Sequence, residues 1–271
     1  MCIWTLSEDG KTSTLRHRFS RHILFVKSIA WSSDGSFLLS GSLDKTLRKW
    51  NISTGECELT IKTPYRVYAI AISPDNKHVV SAHEMGYSIY VWDVSTGRRI
   101  LGPLKGHMNF RFTTIVYSPD GRRILSGSGG GTVTVWDSTT GEILFGPFTA
   151  HYNIIQSISF HPSGETFVTG SFDNSLIIWG ANNFKSIHEN IHVHGAEVPS
   201  VQYSPDGALL LSASLDGTLR LSDANSGRPT CDSVQNGCGV YSATFSPDGR
   251  WVASGGKDKN VRIWEVRHLV L

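Results

Sequence analysis

The chain has 271 residues, 39% of them hydrophobic and 18% charged, and a formal net charge of +2. That composition excludes a disordered chain, and so even a charge balance excludes an extended polyanion-binding surface, so no nucleic-acid partner is expected. Four cysteines (Cys2, Cys57, Cys231 and Cys238) without a CxxC spacing exclude a disulfide framework and a zinc finger, and neither a signal-peptide core nor a run of 18 apolar residues occurs, so an intracellular protein, cytoplasmic or nuclear and not in a membrane, is expected.

Cys2-Ile3-Trp4 reads as the close of a strand and Leu15 to Phe19 as the next strand. A phrase then recurs six times: an apolar strand, a Ser-Pro-Asp-Gly-like turn, a second strand ending in Ser-Gly, and a third strand usually closed by Trp. The residue opening the turn falls at Ser32, Ser73, Ser118, His161, Ser204 and Ser246, in steps of 41, 45, 43, 43 and 42 residues. The clearest copies run from Tyr117 to Asp137 and from Phe245 to Glu265. In the fourth copy the pattern predicts strands over Ile154 to Phe160, Glu165 to Gly170 and Ser175 to Trp179. The turns between them, His161-Pro162-Ser163-Gly164 and Phe172-Asp173-Asn174, hold the Pro, Gly, Asn and Asp that tight turns need. A more variable fourth strand follows each closing Trp after a turn such as Ser138-Thr139-Thr140-Gly141.

A period of this length with strand alternation inside each unit predicts an all-β fold, a β-propeller of four-stranded antiparallel blades. One domain is expected over residues 1–271, with a partial blade at 1–19 and six repeats at 20–266. The seven residues after Trp264 allow a short outer strand at most. The expected architecture is a seven-blade-type ring left incomplete, part of a longer propeller; the alternative is a closed six-bladed ring.

Over roughly residues 12–266 these units resemble the WD-repeat family, whose propellers are interaction platforms. Gly97 to His107 and Gly141 to His151 are similar to repeats carried by fungal NACHT-type NTPases. No GxxxxGK[ST] phosphate loop is present, and Gly129-Gly130-Gly131 sits where a β-turn belongs, so no nucleotide or other cofactor is expected. The resemblance implies a structural tetrad of His, Ser or Thr, Asp and Trp in each blade. His22, Ser40, Asp44 and Trp50 match it in the first repeat, and His151, Thr169, Asp173 and Trp179 in the fourth, with the same spacings of 18, 4 and 6 residues. In the second repeat Thr63 takes the His position and no Asp is evident; the third puts Gly130 in the Asp position; the fifth has His194, Ser212 and Asp216 but Ser222 for Trp; the sixth has Asn236, Ser254, Asp258 and Trp264. Loss of Trp at 222 removes a burial worth about 2–3 kcal/mol, so the fifth blade is expected to be soft.

A Ser, a His and an Asp in contact are also the parts of a hydroxyl nucleophile. A motif repeated around a ring supplies neither an open pocket nor an oxyanion site, so the tetrads are read as structural and no catalytic residue is assigned. His188, His192 and His194 lack a Cys or carboxylate at ligand spacing, so no metal site is assigned.

Function is therefore expected at the channel rim, where side chains are free of strand packing. In phase at the start of the first strands lie Phe25, Arg66, Arg111, Ile154, Glu197 and Gly239. Two residues on come Lys27, Tyr68, Thr113, Gln156, Pro199 and Tyr241, and just before the turn Asp come Leu43, Phe172, Leu215 and Lys257, with His83 and Gly129 in the degenerate copies. Phe25, Lys27, Arg66, Tyr68, Arg111, Phe172, Tyr241 and Lys257 combine aromatics with basic groups, as partner-binding surfaces do, and suit a protein or an acidic peptide. The expected function is a non-enzymatic protein-interaction scaffold. The alternative, a channel-based enzyme or small-molecule sensor, calls for carboxylates or histidines in phase at the rim, where only Glu197 and His83 occur.

Overall fold

The computed structural model describes residues 1–7, 12–84, 87–107 and 110–268. Two strands, β1 (Cys2–Leu6) and β2 (Ser13–Arg18), pair with each other at the N-terminus. The first blade is β3 (Val26–Trp31), β4 (Phe37–Ser42), β5 (Thr46–Asn51) and β6 (Cys57–Lys62). The second is β7 (Val67–Ile72), β8 (His78–His83), β9 (Ile89–Asp93) and β10 (Arg99–Leu104). The third is β11 (Phe112–Tyr117), β12 (Arg123–Ser128), β13 (Thr132–Asp137) and β14 (Ile143–Thr149). The fourth is β15 (Ile155–Phe160), β16 (Thr166–Ser171), β17 (Leu176–Gly180) and β18 (Ser186–Ile191), within two residues of the strands expected there. The fifth is β19 (Ser200–Tyr203), β20 (Leu209–Ala213), β21 (Thr218–Asp223) and the short β22 (Val234–Gln235); the sixth is β23 (Val240–Phe245), β24 (Trp251–Gly256) and β25 (Val261–Glu265). After β25 a short 3₁₀ turn, Val266–His268, stands where the outer strand was expected, tied by Val266 N–H to the Arg250 carbonyl at 2.9 Å.

Each sheet runs antiparallel in chain order, as short polar turns require. In the Ser-Pro-Asp-Gly turn of blade three, Ser118 Oγ accepts from Arg123 N–H at 2.9 Å and Asp120 accepts from Arg122 N–H at 3.1 Å. Gly121 sits there at φ +71°, a left-handed conformation that a side chain resists. The second strands of blades one to five are buried on both faces: all six residues of β4 are covered, with blade two against one face and β1–β2 against the other, whereas β24 is only partly covered. The third strands of blades two to five are nearly as enclosed, whereas an outer strand such as β14 is mostly exposed.

The core is thus a series of blade junctions. Leu39, Leu47 and Ile61 of blade one meet Val67, Ile70 and Trp92 of blade two, and Leu125 and Val135 of blade three meet Ile155, Phe167 and Trp179 of blade four. The innermost strands follow one another in contact, β3, β7, β11, β15, β19 and β23, with no comparable contact from β23 back to β3. The pair β1–β2 leans on blade one instead: Ile3 and Phe19 pack with Leu38, Trp50 and Ile52. The fold is an all-β propeller of six repeats with an additional N-terminal strand pair.

Candidate functional site

In blade one Trp50 Nε1–H donates to Ser40 Oγ at 2.8 Å, Ser40 lies 2.7 Å from His22 Nε2, and His22 Nδ1 lies 2.8 Å from Asp44. Blade four repeats this: Trp179 to Thr169 at 2.9 Å, Thr169 to His151 at 2.7 Å, His151 to Asp173 at 2.9 Å. With the imidazole neutral, every donor has one acceptor: indole N–H to hydroxyl oxygen, hydroxyl proton to Nε2, Nδ1–H to carboxylate. Burial pushes the His22 pKa down, against the opposing pull of Asp44, and pushes His83, His107 and His194 down to about 4. Burial pushes Asp44 up, yet hydrogen bonds from Thr46 and His22 outweigh it and hold the carboxyl below its usual range. Ser40 and Thr169 are fully buried, so their hydroxyls meet no substrate.

The degenerate copies solve the same problem with other residues. In blade three Thr132 Oγ1 takes the place of Asp, 2.7 Å from His107 Nδ1, while His107 Nε2 reaches Ser126 at 2.9 Å. In blade two His83, placed by its sequence phase at the rim, is instead fully buried: its Nε2 lies 2.9 Å from Ser81 Oγ and its Nδ1 3.0 Å from the Tyr65 carbonyl. It performs the work expected of position 63, whose Thr63 hydroxyl only bonds the Tyr65 carbonyl at 2.8 Å. Part of that turn, residues 85–86, lies outside the described residues. In blade six Asn236 bonds Ser254 at 2.8 Å, but Asp258 turns outward to Arg262 at 2.6 Å. In blade five Ser222 is buried with its hydroxyl unpartnered. His194 is held by Ser212, Thr218 and Asp216, and His188 Nε2 bonds the Asn225 carbonyl at 2.8 Å.

One hydrogen bond builds the rim. At the turn between second and third strands, one residue in every blade donates its N–H to the carbonyl at the start of the first strand: Leu43 to Phe25, Glu84 to Arg66, Gly129 to Arg111, Phe172 to Ile154, Leu215 to Glu197 and Lys257 to Gly239, at 2.9–3.1 Å. These pairs set two rim positions together per blade, one of them glycine in blades three and six, and Glu84, not His83, is the second-blade member. Arg66 forms an ion pair with Glu84 at 3.6 Å. On the neighbouring inner strands Tyr68 is flanked by Lys27, whose Nζ is 4.9 Å from the ring centre, and by Arg111, whose guanidinium is 5.2 Å away and also donates to the Tyr68 hydroxyl at 3.3 Å. Beside them a cavity of about 410 Å³ is lined by Arg66, Glu84, Tyr87, Phe110, Arg111 and Ile154. Gly130 leaves room for Phe110, whose ring lies 2.6 Å from where a Cβ at 130 would stand.

Lys27, Arg66, Tyr68 and Arg111 thus gather over blades one to three. Phe25 and Tyr241 are exposed, Phe172 is half-buried and Lys257 is exposed on blade six; among the described residues no ring contact, ion pair or side-chain hydrogen bond joins these four to the cluster. Sequence phase missed Ile23 and Tyr152, which stand almost wholly in solvent. Their backbone N–H groups donate to the tetrad carboxylates Asp44 and Asp173 at 3.2 and 3.1 Å, so the tetrad fixes the loop that presents them. An apolar residue directly after each tetrad His was the signal available. Among the described residues no helix is long and apolar enough to cross a membrane, and the four cysteines are free thiols.

The family model described as WD domain, G-beta repeat matches residues 13–51, 55–93, 98–137, 143–180, 185–223 and 230–265. The chain is 36% identical over 124 residues to the anaphase-promoting complex subunit cdh1 of Dictyostelium discoideum, covering 44% of this chain and 16% of that protein. It is 33% identical over 132 residues to the anaphase-promoting complex subunit cdc20 of the same organism (46% and 26%) and 36% identical over 122 residues to FIZZY-RELATED 2 of Arabidopsis thaliana (43% and 24%). The matched region therefore spans about a quarter or less of each relative.

Proposed function

Because this chain belongs to the WD-repeat family, we propose that it is a non-enzymatic platform that holds a protein partner through an extended segment laid across the rim of blades one to three. The observation that carries this reading is Tyr68 held between Lys27 and Arg111 beside the cavity edged by Phe110 and Ile154. A preorganised aromatic flanked by cations, next to a recess that carries Phe110 and Ile154 beside Arg66 and Arg111, suits a segment that pairs an acidic residue with a bulky apolar one. Arg66 is partly neutralised by Glu84, which leaves Lys27 and Arg111 as the charges that meet the acidic group. Two relatives are named as subunits of a complex, which supports work inside a multiprotein assembly. The likeness of Gly97 to His107 and Gly141 to His151 to propellers of NACHT-type NTPases supports a recognition module within a larger signalling protein. The absence of a long apolar helix among the described residues is compatible with a cytoplasmic or nuclear setting.

Selection of random peptides on the immobilised protein tests this. Enriched sequences should combine Asp or Glu with an aromatic or Leu, bind more weakly as salt rises, and lose at least tenfold in affinity on the triple replacement of Arg66, Tyr68 and Arg111 by Ala, with an unchanged thermal melt. Binders that keep full affinity for the triple variant would place the interaction elsewhere.

A further inference from the structure

In blades one to five the first residue of the second strand looks across to the next blade, and what it meets differs from junction to junction. Phe37 is buried in the cluster that holds Trp92 and Val94 of blade two, and Leu209 packs against the one that holds Phe245 of blade six. Thr166 lies 3.5 Å from the Tyr203 hydroxyl of blade five, and the His161 ring fills the same junction, 5.2 Å from the Tyr203 ring. Arg123 reaches over to blade four and donates to the Ala181 carbonyl. Between blades two and three the corresponding residue is His78. Among the described residues its ring takes part in no hydrogen bond, and neither does the hydroxyl of Tyr117, which ends its first strand as Tyr203 does in blade five.

That junction keeps a cavity of about 390 Å³, whose walls include Asp75, His78, Tyr117, Asp120 and Ser138 beside the apolar Val91 and Ile100. It opens on the face opposite the rim, because the turns between first and second strands stand at the other ends of the strands from the rim turns. The turns of blades two and three pack side by side here: a Cβ on Gly121 would stand 3.5 Å from the Pro74 ring. Each turn uses one aspartate oxygen for itself. Asp75 Oδ1 accepts from Ser73 Oγ at 2.6 Å and Lys77 N–H at 3.1 Å, and Asp120 Oδ1 accepts from Ser118 Oγ and from Arg122 N–H at 3.1 Å. The second oxygens are uncommitted: Asp75 Oδ2 meets only the Lys77 ammonium, at 3.9 Å, and Asp120 Oδ2 meets no donor among the described residues. Lys77 and Arg122 are exposed beside the turns, and the Arg123 guanidinium is engaged on blade four. Burial, with the charge of Asp75 adding to it, pushes the Tyr117 pKa up, so this group stays a neutral hydroxyl.

We propose that this cavity is a second binding site, separate from the rim, that takes the guanidinium of an arginine on an extended segment of a partner protein. Acceptors from two blades face one space: two carboxylate oxygens, the Tyr117 hydroxyl, the lone pair of a neutral His78, and Ser138 Oγ, whose own proton goes to the Gly121 carbonyl at 2.7 Å. A guanidinium spreads five N–H donors over a planar fork and can meet acceptors so dispersed, where an ammonium concentrates its charge at one point. The molecule shows the fit at its next junction, where Arg123 lies across the blades from within. Ile100, 47% exposed in the same wall, offers contact to an apolar residue beside the arginine, which a free guanidine compound would leave uncovered. The junctions of blades one with two and five with six also carry an aspartate in both turns, Asp34 with Asp75 and Asp206 with Asp248, but there Phe37 and Leu209 take the place that His78 leaves polar.

The probe is a fluorescent peptide, Gly-Ser-Ile-Arg-Ile-Ser-Gly, titrated into the whole protein with anisotropy as readout, beside versions with Lys or citrulline in place of Arg. Saturable binding of the Arg peptide is expected, weaker by about tenfold with citrulline, which keeps the shape and loses the charge. The double variant Asp75→Asn with Asp120→Asn retains the Oδ1 acceptors of both turns and should also weaken binding about tenfold. His78→Arg should abolish binding and raise the melting temperature, since it supplies from within the group that the cavity takes from outside. The Arg66, Tyr68 and Arg111 triple variant should bind the peptide unchanged, so that failure at this site and failure at the rim are read separately. No saturable binding, equal binding of the Lys or citrulline peptide, or binding indifferent to both the aspartate pair and His78→Arg overturns the proposal. So does N-acetylarginine amide binding as tightly as the peptide, since the cavity then belongs to a small guanidine compound.

Discussion

Two buried serines, Ser126 and Ser222, differ in what their hydroxyls meet, and the difference is measurable. Ser126 Oγ accepts from Trp136 Nε1–H at 2.9 Å and lies 2.9 Å from His107 Nε2, whereas buried Ser222 Oγ has no partner among the described residues. Ser126→Ala leaves two buried polar groups unpaired and should cost about 1–3 kcal/mol in urea unfolding; Ser222→Ala removes a group that has already lost its water and should be neutral or slightly stabilising. The histidines give the protein a pH dependence of definite sign. His83, His107 and His194 ionise near 4 in the fold, against an ordinary value of 6.5. As pH falls through 6.5 the unfolded chain takes up protons that the folded one refuses, so their stabilisation is complete above 6.5 and declines progressively down to about 4. The carboxylates held low, Asp44 and Asp216 among them, lose their contribution only further down. Unfolding midpoints at pH 7.5, 6 and 5 should therefore decrease in order, with a shallower slope in His107→Gln.

At the scale of strands, what lies across the junction decides what a glycine is for. Gly41→Ala pushes a methyl into Val67 and should cost about 1–3 kcal/mol, whereas Gly255→Ala, in the same phase but facing open space, should be tolerated or gain a few tenths. Equal losses at both sites would show that blade six is covered in solution. Blade five carries the weakest outer strand, since β22 has only two residues and Ser222 stands where the other blades pack a Trp. Amide exchange should be faster in β22 than in β6, β14 or β18, which checks the softness expected from the lost Trp. In blade four the sequence carried the first three strands to within two residues, because alternation and turn residues are local signals. It could not carry the exchange of roles at His83 or at Thr132, because those side chains reach the tetrad through turns whose course depends on the residues around them.

For the molecule as a whole, the rim is produced six times by one backbone hydrogen bond and made individual by side chains that differ between blades. The innermost strands touch in order from β3 to β23, so rim positions of successive blades lie side by side. Rim variants should change partner capture without moving the thermal melt; a capture loss that comes with a lowered melt would assign those side chains to blade packing instead.

By itself the sequence determined the propeller, the six repeats, the leading strand pair and the complete tetrads of blades one and four, because a period near 43 residues and a fixed His, Ser, Asp and Trp spacing are properties of the chain alone. It also singled out Lys27, Arg66, Tyr68 and Arg111 by phase. Only the tertiary structure decided that Lys27 and Arg111 close on one tyrosine while Phe172, Tyr241 and Lys257 stay apart, and that Glu84 and not His83 faces the rim. Phase tells which residues are equivalent; burial and contact depend on what the neighbouring blade places opposite, and a repeat cannot encode that.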